Sequence, residues 1–245
     1  MVEGRDNFLT KVVFKIDFEE RKKIPIDYLR KAKEKIKDEL PKYNEGQLET
    51  VEVMMGANEQ KTIRRRSETF DFKNEQETEW IHIDENAIWI EVSKYLSFER
   101  FRKLIKTVID ELNLEGNSAR LGLKYINQIT LNEGNPFDWE NWINSNLFKS
   151  LEFVSEKKTL ARCMGTIVYN YDDFLMKFQY GMYNSEFPNP ISKREFVLDY
   201  DCYTKEPRDF NETFTLLNNM HNLVKIKFKE SIGSKIKEII EEDSL

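Results

Sequence analysis

Asp199 and Asp201, two residues apart, are the sharpest chemical feature of this 245-residue chain. Side chains alternate along a strand, so both carboxylates fall on one face, where they repel unless a cation, an arginine or a proton separates them. With His221 or Glu195 nearby, such a pair could hold a divalent metal through oxygen ligands and support a metal-dependent nuclease or phosphodiesterase. The alternative is the solvated, charged outer face of an edge strand.

His82 and His221 are the only histidines, and imidazole alone titrates near neutrality without perturbation. His82 alternates with Trp80 and Asp84 opposite Ile81 and Ile83, which turns it toward solvent beside a turn. His221 lies within an apolar helical stripe, where a hydrogen-bonded buried ring is the ordinary expectation. Arg64, Arg65 and Arg66 form the one basic cluster. Arg64 and Arg66, with Arg120 and Lys124, could bind RNA or a nucleotide through phosphate. Against this stand Glu68, Asp71, Glu75, Glu77 and Glu79, which follow at once and can use up those charges across strands. Asn127 faces away from Lys124 and is expected to fix a loop by bonding backbone groups. There is no Gly-rich phosphate loop, Gly-x-Ser-x-Gly elbow or His-Glu-x-x-His pair. No catalytic residue, metal or cofactor is assigned on these grounds.

The elements that must position these residues follow from periodicity. Alternation from 7 to 19 reads as a strand, and Pro25 opens a helix to residue 40 with Leu29, Ala32 and Ile36 on its apolar side. Strands are expected at 47–55, 62–72, 79–83 and 87–93, the last two joined by the turn Asp84-Glu85-Asn86. Ser97 caps a helix reaching Leu112, and a strand from 120 to 131 follows. Residues 132–136 combine turn formers without an apolar anchor, and a short helix is expected at 138–148. Strands at 159–169, 173–183 and 194–204 precede an apolar helical stripe from 209 to 240, either one long helix or two meeting near Gly233.

Charged residues make up 33% of the chain, with 44 acids against 38 bases, a mixture that argues against a broad nucleic-acid footprint. Cys163 and Cys202 are too few for a disulfide framework, and no segment reads as a leader or a membrane span, so a cytoplasmic setting is expected.

The segments Gly122-Leu123-Lys124-Tyr125-Ile126-Asn127, Val197-Leu198-Asp199-Tyr200-Asp201 and the helix through His221 and Phe228 resemble a sporadically distributed family of uncharacterised prokaryotic proteins of about 250 residues. That family carries a mid-chain Gly-Leu-(Arg/Lys)-Tyr-Ile-Asn strand, and Lys124 stands here where Arg is expected. The resemblance implies mobile or defence-associated genes and no particular activity. The second half is similar in architecture to SecB-like chaperones.

The expected fold is α+β: an N-terminal half at 1–131, whose order of strand, helix, strands, helix and strand suits a ferredoxin-like arrangement, a linker and bridging helix at 132–150, and a C-terminal antiparallel sheet with a long helix at 151–245. The leading functional expectation is a non-enzymatic, self-associating protein that binds a protein partner or client, because the C-terminal apolar stripe is longer than one small sheet can cover.

Overall fold

The computed structural model describes residues 8–55 and 60–242. Within them the chain is α+β, with antiparallel strands and four α-helices. Its elements are β1 (Leu9–Phe18), α1 (Ile26–Ile36), β2 (Lys42–Met55), β3 (Gln60–Lys73), β4 (Glu79–Ile83), β5 (Ala87–Val92), α2 (Phe98–Leu112), β6 (Asn117–Leu131), β7 (Cys163–Asn170), β8 (Phe174–Met182), β9 (Arg194–Thr204), β10 (Arg208–Asp209), α3 (Thr213–Ser231) and α4 (Ser234–Glu242). The chain divides into two compact units, one of residues 13–121 and 206–211, the other of residues 1–12, 122–205 and 212–245. Residues 132–136 lie inside the latter, and β1 and β6 each give a part to either unit.

In the first unit the strand order is β2-β3-β4-β5-β1-β6, with β10 on β6. Pro25 precedes α1 with φ −59°, already helical in that angle. Ser97 caps α2 by accepting from the Arg100 N–H at 3.2 Å, and the helix ends at Asn113 in the left-handed region. The apolar positions of the expected strands and helices are the buried ones: Phe72, Ile81, Ile83, Ile88 and Ile90 in the sheet, Leu29, Ile105 and Val108 in the helices. Arg100 of α2 grips the buried Glu79 of β4 with both guanidinium arms, Nη2 standing 3.1 Å from Oε2. β3 pairs with β2 along its whole length and with β4 only from Phe70 to Lys73. Among the described residues, β2 and β3 therefore extend past β4 as a two-stranded ribbon.

In the second unit the order is β1-β6-β9-β8-β7. Its core includes Tyr125, Phe178, Phe196, Leu198 and Tyr200, with Leu217, Met220 and Ile236 from the helices. Phe178 and Tyr200 stack across the β8–β9 pair at 4.6 Å and 6°.

The helix expected at 138–148 does not form. Asn135, Asp138 and Asn144 each turn a side-chain oxygen onto the backbone N–H two residues on, at Phe137, Glu140 and Asn146. Short polar side chains that satisfy the backbone locally compete with the helical ladder. The segment runs instead as turns and short 3-10 pieces around Trp139, which is wholly buried against Phe196.

The long C-terminal stripe is two helices. It breaks at Gly233, whose N–H donates to the Trp142 carbonyl at 2.8 Å while Ile232 bridges to Ile143. A Cβ at Gly233 would overlap the carbonyl of Asn141, so only glycine fits. The break seats Ile232 and Ile236 in the core, and the stripe is thereby largely covered by its own unit. No helix among the described residues is long and apolar enough to cross a membrane.

Gly233→Ala should cost about 1–3 kcal/mol, the usual range for overpacking, and lower the melting temperature by several degrees in a calorimetric scan. An unchanged transition would show that the 139–143 turn yields freely.

Candidate interaction surface

β9 is not an edge strand. It lies between β6 and β8, with Asp201 flanked by Lys124 and Lys177 and Asp199 flanked by Ile126 and Gln179. The Asp199 Oδ2 is 3.0 Å from the Lys124 ammonium, and its Oδ1 is buried without a hydrogen-bond partner. Burial pushes the Asp199 pKa up, Lys124 opposes that shift, and Asp201 adds to it. The repulsion between the two carboxylates is thus met by lysines on the neighbouring strands.

His221 is elsewhere. Its Nδ1 is 2.8 Å from the hydroxyl of Tyr125, and Tyr125 is the cross-strand neighbour of Tyr200. Tyr200 alternates with Asp199 and Asp201, so the imidazole and the two carboxylates occupy opposite faces. Glu195 accepts from the Ser185 N–H and hydroxyl at 3.2 and 3.1 Å, holding the turn after β8. Among the described residues no group of three His, Cys, Asp or Glu is arranged to hold a metal.

The basic residues are spread along the chain. Arg64 and Arg66 sit on the β3 ribbon opposite Val51 and Glu49, Arg120 is an exposed residue of β6 in the first unit, and Lys124 of the second unit is engaged by Asp199. Asn127 is buried and donates to the backbone carbonyl of Leu198 at 3.3 Å, bonding a strand.

His82 is a quarter exposed and clamped. Its Nδ1 is 2.8 Å from Asp71, whose same oxygen accepts the Trp80 indole N–H, and Asp84 stands 3.9 Å from Nε2 as an ion pair. Asp84 foremost, and then Asp71, raise the imidazole pKa against the opposing effect of burial. Burial raises the Asp84 pKa, but His82 and the backbone N–H groups of Asn86 and Ala87 outweigh it and hold this carboxyl at about 2.

The surface that stands out runs along β7. β7, Cys-Met-Gly-Thr-Ile-Val-Tyr-Asn, ends the strand order and contains no charged residue. Edge strands are normally protected from pairing by charge, proline or a bulge; β2, the other terminal strand, carries Lys42, Glu45, Glu49 and Glu52. On the outward face of β7, Met164 and Val168 are 37% and 56% exposed. Gly181 of β8, with φ +133°, lets the two backbones approach where a Cβ would overlap Cys163.

The chain flanking β7 continues the surface. Arg162, one residue before it, lies between the rings of Tyr183 and Phe187, its guanidinium carbon 4.4 and 4.1 Å from their centres. Its Nε–H donates to the Tyr183 carbonyl at 2.7 Å. Ser150 reaches the Cys163 sulfur at 3.5 Å, and three residues beyond Ser150 stands Phe153, 93% exposed. Five of the ten large hydrophobics exposed among the described residues, Phe153, Met164, Val168, Tyr183 and Phe187, therefore belong to this one stretch. Exposed aromatic rings around an arginine are the composition of interface anchors. The run of eight uncharged residues in a chain one-third charged was the available signal.

Because the imidazole pKa is raised, His82 stabilises the fold fully below its ordinary value of 6.5, and that contribution is lost as pH rises through the higher folded value. Urea unfolding at rising pH should therefore show the native protein losing stability relative to His82→Gln; parallel curves would refute the clamp. A lysine ammonium already stands against Asp199, so Mg²⁺ or Mn²⁺ should leave the melting temperature of both the native protein and Asp199→Asn/Asp201→Asn unchanged. A metal-dependent rise confined to the native protein would overturn this reading. Compared with known proteins, the sequence matches no family model and no curated protein sequence.

Proposed function

We propose that this is a non-enzymatic protein-binding protein whose docking surface is the uncharged edge of β7 with the Arg162, Tyr183 and Phe187 cluster at its start. The observation that carries this reading is the unprotected edge: eight residues without a charge, at the end of a sheet, with Val168 56% exposed. An added strand would satisfy the outward backbone groups of β7, and its side chains would cover Met164 and Val168. The rings around Arg162 offer rigid anchors beside that ladder, because Tyr and Phe lose little side-chain freedom on contact.

The free thiols Cys163 and Cys202 support a reducing, intracellular setting. The ribbon does not favour nucleic acid. From Lys42 to Lys73 it has six bases (Lys42, Lys61, Arg64, Arg65, Arg66, Lys73) and six acids (Glu45, Glu49, Glu52, Glu59, Glu68, Asp71), a net charge of zero, whereas phosphate binding relies on uncompensated positive charge.

A photo-activatable cross-linking residue at Val168, introduced in the protein's native cells, should yield a discrete polypeptide adduct, with itself or with another protein. The same residue at Ile226, an exposed apolar position on α3, should yield none. Equal labelling at both sites, or none at either, would defeat the proposal.

A further inference from the structure

We propose that the strand added to β7 is β7 of a second copy of this chain, running antiparallel about a two-fold axis at Thr166. This rests on the docking role of β7 argued above and names the partner. An antiparallel strand paired with its own copy meets itself reversed, so the test of self-complementarity is whether each end of the strand suits the other end.

The two ends of β7 do suit each other. Before the strand stands Arg162, exposed, with no acidic partner among the described residues. After it comes the turn Tyr171-Asp172-Asp173, in which Asp172 is exposed and has no basic partner among the described residues. Lys205, 3.1 Å from the Asn170 side chain, shares that end and makes no ion pair with Asp172 among the described residues. The strand between them carries no charge to be opposed by its own copy. Antiparallel pairing sets each positive end against a negative one, twice over by symmetry. Parallel pairing would set Arg162 against Arg162.

The apolar side chains choose the register. Faces match only when residues of equal parity are opposite, so the axis passes through a residue. With Thr166 on the axis, Met164 lies opposite Val168 of the second copy, and the two exposed apolar side chains of the outward face cover each other. Arg162 then lies opposite Asn170 of the second copy, at the strand end where the turn that bears Asp172 begins. Shifting the axis to Ile167 would oppose Met164 to Asn170 and Val168 to Thr166, leaving the apolar pair apart.

The test is a charge exchange followed by light scattering and sedimentation at high micromolar concentration. The native chain should dimerise. Arg162→Glu alone and Asp172→Arg alone should each weaken the dimer by about tenfold or more, since each places like charges at both ends of the ladder. Mixed in equal amounts, the two variants should recover native affinity and form only the mixed dimer, in which every end is again complementary. Thr166→Lys, which sets two ammonium groups across the axis on a solvent-facing position, should abolish association while leaving the far-ultraviolet circular dichroism unchanged.

A native chain that stays monomeric, a dimer insensitive to Thr166→Lys, or a mixture no stronger than its components would each overturn the inference. A monomer that still cross-links at Val168 to another polypeptide would sink self-pairing and leave the broader docking role standing. A monomer with no adduct would remove both.

Discussion

The two-residue period of β9 separates what the second unit can do from what it cannot. Leu198, Tyr200 and Cys202 point into the core, where Tyr200 stacks on Phe178; Asp199 and Asp201 must then point the other way. Burial pushes the Cys202 thiol pKa far up, leaving it a small hydrophobe with no thiolate character. Because His221 reaches the sheet through Tyr125 on the core face, no side-chain rearrangement within the ladder brings it to the carboxylates. One alternation thus turns a suggestive set of catalytic residues into a hydrogen bond on one face and a lysine-neutralised pair on the other.

Much of the fold was legible because its signals are local. The apolar alternation of β4 and β5, the turn at Asp84 and the Ser97 cap each depend on side chains close in sequence and on elementary backbone preferences. The failure at 138–148 was local as well, since three Asx-type side chains had already claimed the backbone donors that a helix requires. Apolar spacing alone gave them no weight.

The candidate surface was harder to read. Clusters of reactive residues attract attention, whereas β7 is informative for what it lacks. An uncharged run reads equally well as a central strand, and only the strand order makes it an edge. The edge assigned to β9 failed for the same reason, since pairing partners far apart in sequence decide which strands lie inside a sheet. The self-association expected from the over-long C-terminal stripe loses its original motive, because Gly233 folds that stripe back onto the 139–143 turn.

The β2–β3 ribbon has a consequence of its own. Over residues 60–69, β3 is bonded to β2 and to no other described strand, and an isolated pair of strands is marginally stable in water. Leu48 and Val51 on it are already about half in solvent, so opening it uncovers little more of either. The ribbon is therefore the part of the first unit that can come apart and re-form without disturbing the rest. Its amides should exchange with deuterium long before those of β4 and β5, and a protease would find its first cut there while the helical core remained whole.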